Sequence, residues 1–406
     1  MSPIHLDVSP RLSRRHLLRL AGSLALLAGC RGASKQAAAP SALPPTIAPT
    51  AAQATALPVT TSAPTVAPPT AAQPIVTAAV VPTAAPTTAP AAATSAPTAA
   101  PAAMAAPTRA EVTRGFPLGR SRVAQVHRAG AMSADLTTVS SEAVVAMLDA
   151  AMRQLTGLDD PAQAWRTLFD PDERVAIKVN TIAGSRYWTH PELVLAVTQR
   201  LQGAGVAAEQ IVIFDRSTRE LVRVFAENRN GPGVRCYGTD GRYQAGWTLM
   251  DRPVALSQIL LDCDALINIP VLKVHGTSGI SFAMKNHYGT FDIPGSFHEG
   301  RIGQAMAELN ALEPIRARTR LIIGDALTAC LRNWNAAVAG DRLLASFDPV
   351  AIDAVALQLF GQLAQANGSN PAAAKGRASE WLAHGQKLGV GAHELDKIEL
   401  VEAELT

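Results

Sequence analysis

Between Gln36 and Thr108 the chain carries no charged, aromatic or glycine residue and is built from Ala, Pro and Thr. Such a tract cannot bury enough apolar surface to offset the entropy of ordering it, and its prolines favour extended polyproline geometry. It reads as a disordered spacer. At about 3.1 Å per residue it would reach on the order of 200 Å if fully extended, and much less as a coil. The part that folds lies beyond it, in roughly 290 residues, enough to bury about three quarters of the unfolded surface in one large or two modest cores.

The residues ahead of the spacer read as an address. Ser13-Arg14-Arg15-His16-Leu17-Leu18-Arg19 is similar to a twin-arginine export signal. The apolar run that follows, Leu20 to Gly29, falls short of the about 20 apolar residues a bilayer span needs. Leu27-Ala28-Gly29-Cys30 resembles a bacterial lipoprotein box, which implies cleavage before Cys30 and acylation of its thiol. Two or three acyl chains suffice for stable membrane attachment. The expected organisation is a signal over 1–30, a linker over 31–112 and a folded domain over 113–406. The expected location is the outer face of the bacterial cell membrane, or the periplasm as a lipoprotein, reached by the twin-arginine route.

Charge must be read without the leader. Residues 1–35 hold six of the 36 Lys and Arg and one of the 33 Asp and Glu, which leaves 30 basic against 32 acidic residues from Arg109 onward. A domain near −2 lacks the basic stripe that displaces phosphate counterions, and an aromatic content of 4% is too low for a base-stacking platform. Both argue against a nucleic-acid partner. With Cys30 acylated, Cys236, Cys263 and Cys330 form an odd set without a CxxC pair. They read as small core residues, and the spacing argues against a cysteine-ligated zinc or iron–sulfur site.

From Arg122 onward short β-branched runs alternate with helical periodicity. Expected strands are 122–127, 175–179, 211–215, 234–237, 265–272, 321–324, 343–347 and 397–401. Expected helices are 141–155, 191–203, 218–228, 279–287, 303–312 and 350–363. Continuous apolar strands such as VAIKV and IVIFD suit a sheet covered on both faces. The alternation predicts a doubly wound α/β fold, a mostly parallel sheet with helices on both faces, preceded by the disordered tether. Thr189-His190-Pro191-Glu192 reads as a helix start with Thr189 as cap.

The strand ends carry the chemistry. Lys178 and Asn180 close one strand, Asp215 the next and Lys273 with His275 another; Asp325 follows LIIG and Asp348 follows LLASF. In a parallel sheet these positions share one rim, where ligands of open α/β sheets bind. The segment from Ala265 to Gly289 runs strand, small-residue turn and helix, gathering Lys273, His275, Lys285, Asn286 and His287 around one point. Two or three lysines with amides suit a small anion. Each position has a plainer reading as well: Asp215 and Asp348 could cap helices, and a single histidine could be structural. For Lys178, which interrupts an apolar strand, burial without an anion would be costly.

This chain resembles the domain-of-unknown-function 362 family through VAIKVN (175–180), THPELVLAVTQRLQGAG (189–205), INIPVLKVHG (267–276), ISFAMKNHYG (280–289), IGDAL (323–327) and SFDPVAIDAV (346–355). The resemblance implies an α/β fold and a site using Lys178, Asn180, Lys273, His275, Lys285 and Asn286, with Asp348 and Asp353 near it. It implies no particular reaction. Some relatives carry ferredoxin-type cysteine modules, which this chain lacks, and Val179 stands where proline is common in the family.

Two functions follow. In one, an enzyme acts on a phosphate- or carboxylate-bearing substrate. His275, Lys273 and Lys285 are then the catalytic candidates, and Lys178, Asn180, Asn286, Asp348 and Asp353 contact the substrate; imidazole titrates near neutrality and suits acid–base work. In the other, a surface-tethered protein binds an anionic solute without catalysis. No cofactor is assigned. Asp215, Asp325, Asp348, Asp353, His275, His287 and His298 keep a metal conceivable, but their spacing is no ligand signature. Oligomeric state and substrate identity are not encoded in these patterns.

Overall fold

The runs VAIK, IVIF and ALIN are apolar on successive residues because each lies in the middle of a sheet with helices on both faces. The computed structural model describes residues 107–113, 121–184, 187–332 and 336–406. The signal, Cys30, most of the linker and Trp334 lie outside the described residues.

The strands are β1 (Ser121–Arg128), β2 (Val175–Lys178), β3 (Ile211–Phe214), β4 (Arg235–Cys236), β5 (Tyr243–Leu249), β6 (Arg252–Ser257), β7 (Ala265–Asn268), β8 (Val271–His275), β9 (Gly279–Ser281), β10 (Thr319–Cys330), β11 (Ala337–Ser346) and β12 (Ile398–Leu405). The main sheet runs β12-β1-β11-β10-β7-β2-β3-β4, with β8 joined to β10 and β9 to β8. Parallel pairs link β10, β7, β2, β3 and β4, and another links β1 to β12; β11 runs against both its neighbours and β9 against β8. The expected mostly parallel α/β sheet is the one observed.

Period-2 alternation splits the sheet residues between two cores. Val175, Ile177, Ala265, Ile267, Leu321 and Ile323 pack on one face, which the helices Ser141–Thr156, Pro161–Leu168 and Pro191–Gly203 cover. Ala176, Leu266, Ile322 and Leu344 pack on the other, beneath the helices Ile302–Ala311, Pro349–Ala366 and Ala372–Lys387. The same alternation dictates that Lys178 follows Ala176, and Asn268 follows Leu266, onto this second face. Their registers align, since Lys178 pairs with Phe214 on one side and Asn268 on the other.

Several expectations are corrected. The single strand expected over 265–272 breaks at Ile269-Pro270, because proline has no N–H for the ladder. The Pro270 carbonyl instead accepts from Asp325 N at 2.8 Å, and the chain resumes as β8 beside the second half of β10. The helix expected over 279–287 begins as β9, with Gly279 at φ 83° in a hairpin back onto β8, and only Ala283–Asn286 is α-helical, followed by a 3-10 turn over His287–Gly289. The helix expected over 218–228 ends at Leu221; Asn228 instead exchanges backbone hydrogen bonds of 2.9 and 2.8 Å with Cys236 at the sheet edge. Residues Arg109 to Val112, which the expected boundary leaves in the linker, form a short helix with Thr113. Val112 is buried there, and Arg109 pairs with Asp170 and Glu173.

Candidate functional site

Lys178 is 1% exposed, and its amine must therefore find partners inside the protein. It donates to the Val179 carbonyl at 2.6 Å and to Asp215 Oδ1 at 2.8 Å. Asp215 also accepts from Thr181 N and Oγ1, both at 2.8 Å, and from Arg216 N at 2.7 Å. It is thus an ion-pair partner inside the site and not a helix cap. Gly289 packs against this pair so closely that a Cβ there would lie 2.8 Å from Asp215 Oδ1 and from Lys178 Nζ. Glycine is required because the backbone itself is the wall.

A chain of amides ties the remaining elements together. Asn268 donates to the Ala283 carbonyl at 2.9 Å and accepts from Asn286 Nδ2 at 2.7 Å. Asn286 Oδ1 accepts from Asn180 Nδ2 at 3.0 Å and from Lys178 Nζ at 3.5 Å. Asn180 Oδ1 accepts from Lys273 Nζ, which also donates to the Tyr187 carbonyl at 3.1 Å. Asn180 and Asn286 therefore hold the lysines in place. From beneath, Asp353 accepts from Ala283 N at 2.6 Å and Met284 N at 3.0 Å, fixing the turn that carries Lys285.

Lys285 stands apart from the other two lysines. Among the described residues its amine makes no ion pair; it lies 3.8 Å above the Tyr288 ring centroid and 3.4 Å from His298 Nε2. His298 Nδ1 is 2.9 Å from the Pro294 carbonyl, an acceptor only, so Nδ1 carries the proton and Nε2 offers a lone pair to Lys285. His275 has the opposite tautomer. Its Nδ1 faces the backbone N–H groups of Ser278 at 3.2 Å and Thr277 at 3.4 Å, which leaves the proton of the neutral ring on Nε2.

These groups enclose a cavity of about 410 Å³, within the range of small-molecule sites. Lys178, Asn180, Lys273, His275, Lys285 and Asn286 all line it. Ile182, Tyr288 and Pro294 add apolar wall. Arg216 and Glu220, 3.5 Å apart, stand at the same cavity. Four cations thus face two carboxylates. Burial, offset in part by Asp215, brings the Lys273 amine down to about 7. Burial and the charge of Lys273 bring Lys285 to about 7. Burial and Lys285 push the His275 imidazole down to about 4, so it is neutral near pH 7.

The structure separates other residues that the sequence grouped. Asp348 caps the helix Pro349–Ala366, accepting from Val350 N at 2.8 Å and Ala351 N at 2.9 Å, and also binds Ser121 and Ala392 N. Neither Asp348 nor Asp353 lines the cavity. Asp353 is wholly buried beneath the turn, where desolvation pushes its carboxyl up to about 7. His287 is buried outside the cavity wall with neither ring nitrogen hydrogen-bonded, and desolvation holds it neutral, at about 3.

Asp325 is not at a strand end but inside β10, where it accepts from His190 Nδ1 at 2.8 Å and His190 N at 2.9 Å. Burial alone would lower the His190 pKa, yet the charge and hydrogen bond of Asp325 raise it. His190, not Thr189, occupies the cap position of the helix Pro191–Gly203. Thr189 Oγ1 instead joins the Ile269 carbonyl to Asn180 N. Sequence reasoning did not assign Tyr288, Arg216 or Glu220 to the site, all three of which line the cavity, whereas His190 lies outside its wall. Among the described residues no three His, Cys, Asp or Glu side chains cluster in a metal-holding arrangement.

Comparison with known proteins places part of this chain. It is 30% identical over 158 residues to a thylakoid-associated protein of Synechocystis sp., a match covering 36% of this chain and 46% of that protein. The chain therefore spans less than half the length of this curated relative. A Thermotoga maritima protein of known crystal structure aligns over 59% of each chain at 11% identity and a TM-score of 0.35. The lactate racemase apoprotein of Thermoanaerobacterium thermosaccharolyticum aligns over 54% of this chain and 52% of its own, at 14% identity and a TM-score of 0.28. The family model that this chain matches is the domain of unknown function DUF362, over residues 175–358, a span that contains every residue lining the cavity.

Proposed function

We propose that the cavity takes a small phosphate- or carboxylate-bearing molecule and that the protein is an enzyme acting on it. The observation that carries this reading is the convergence of Lys178, Lys273 and Lys285 on one cavity, where the Lys285 amine makes no ion pair among the described residues. An ammonium taken out of water without a counter-ion costs several kcal/mol, and a bound anion offsets that cost. Lys178 with Asp215 forms the floor, Lys273 and Lys285 meet the anion, and His275 donates through Nε2. Two lysines held near neutrality, one of them facing the lone pair of His298, suit proton transfer better than simple retention.

The further reading is of an exported protein tethered through lipid on Cys30. The test has two parts. Phosphate, sulfate and small carboxylates should raise the melting temperature of the full chain, and Lys273→Met should remove most of that rise. Loss of the rise for every anion would end the anion reading. Stabilisation without turnover of any carboxylate or phosphate ester would favour the tethered binding protein instead.

A further inference from the structure

The three lysines differ in what their amines can do. Lys178 is bound by a carboxylate and a carbonyl, and Lys273 by an amide oxygen and a carbonyl. Both amines are engaged by oxygen acceptors of the protein. Lys285 alone has no oxygen acceptor among the described residues, and its nearest polar neighbour, the His298 lone pair, can take a proton. A lysine amine in a partly apolar cavity, beside a base and close to fixed positive charge, has the setting of a carbonyl nucleophile.

We infer that Lys285 forms an imine with a small carbonyl compound that also bears a carboxylate, held by Lys273. This inference rests on the anion reading above and names its substrate class, a 2-oxo acid. The neutral Lys285 amine attacks the carbonyl carbon, forming the C–N bond, and His298 Nε2 takes one proton from the nitrogen and passes it to the oxygen, which becomes a hydroxyl. A second proton, drawn from solvent through His298, reaches the hydroxyl, the C–O bond breaks, and water leaves. The nitrogen loses one hydrogen and keeps the other in the cationic imine, solvent supplies the second proton of the departing water, and no oxidant or reductant is consumed. His275, donating from Nε2, is placed to hydrogen-bond the developing oxygen. The Tyr288 face steadies the cationic imine, as it does the ammonium.

The full-length protein is incubated with pyruvate or glyoxylate and cyanoborohydride, then analysed by intact mass and peptide mapping. One adduct per chain, at Lys285, is expected; excess sulfate should suppress it. Lys285→Met should abolish it, and His298→Ala should slow trapping by roughly a hundredfold or more. Melting curves with sulfate are run on each variant. An adduct that is absent, scattered over surface lysines or retained in Lys285→Met, with sulfate stabilisation intact, overturns the imine and leaves the anion reading standing. Loss of both removes the two together.

Discussion

Replacing Asp215 by Asn keeps the shape of the side chain and removes the charge that neutralises Lys178. Asp215 is 5% exposed and Lys178 1%, so water cannot take over for either partner. Asp215 accepts four hydrogen bonds, from Lys178 Nζ, Thr181 N, Thr181 Oγ1 and Arg216 N. An Asn amide accepts through one oxygen and turns its NH₂ toward donors. Breaking a buried pair by removing one partner costs about 3–5 kcal/mol, against a total stability of about 5–15 kcal/mol. The melting temperature should fall on the order of 10 °C.

Urea denaturation of the wild type and Asp215→Asn, with Lys178→Met and the double variant, closes a thermodynamic cycle. The double variant should lose less than the sum of the single variants, with a coupling on the order of 2 kcal/mol. Because Asp215→Asn makes the cavity more positive, sulfate should restore stability to it more than to the wild type. A loss below about 1 kcal/mol, or additive losses, would mean that the pair is solvated and the account of the cavity is wrong.

Other outcomes follow from the same geometry. Lys273 and Lys285 titrate at about 7 when folded against 10.5 when free. Between these values the unfolded chain binds protons that the fold does not, so the unliganded protein should gain stability as pH rises through that window. Urea midpoints falling steadily from about pH 7.5 to 9.5 would contradict this, and saturating sulfate should flatten the rise. Gly289→Ala would press a Cβ to 2.8 Å from the Lys178–Asp215 pair and should cost about 1–3 kcal/mol with weakened sulfate binding; an unchanged denaturation midpoint would refute the close packing. Asp353→Ala leaves the amides of Ala283 and Met284 without their acceptor and should cost about 2–5 kcal/mol. It should also reduce sulfate binding, although Asp353 does not touch the cavity; intact sulfate affinity would show that the turn is held by other contacts.

Much of this site was legible because alternation along a strand is a strict rule. Once VAIK is a central strand, Lys178 must share a face with Ala176, and parallel neighbours bring β2, β3 and β7 to one rim. The helix Pro191–Gly203 matched its expected bounds, since Pro191 opens it and Gly203 closes it. What escaped depends on tertiary contact. Asp325 looked like a strand end because glycine precedes it, but Gly324 lets Phe282 approach β10, where a Cβ would be 2.3 Å from the Phe282 ring, and the strand continues to Cys330.

Some hydrophobic patterns were too weak to register. The β5–β6 hairpin alternates poorly around Gly246, where its register shifts, and the helix Ala372–Lys387 has a broad face of alanine and polar residues. The helix Pro161–Leu168 did carry a signal, with Asp160 capping Ala162 N at 2.9 Å and Pro161 in the first turn. Asp348 illustrates the limit of a family pattern. Its carboxylate is committed to capping, the use that Pro349 in the first turn signals, and not to the ligand contact the resemblance implies.

The central claim is that an anion supplies the negative charge this cavity lacks. Calorimetric titration of the full chain with sulfate near pH 8, in buffers of different ionisation enthalpy, tests it most directly, because sulfate does not titrate there. Lysines at about 7 are largely unprotonated at that pH and should take up between zero and about two protons per site as sulfate binds. Uptake that disappears in the Lys273→Met/Lys285→Met double variant is the predicted result; no binding, or binding that releases protons, would contradict the account.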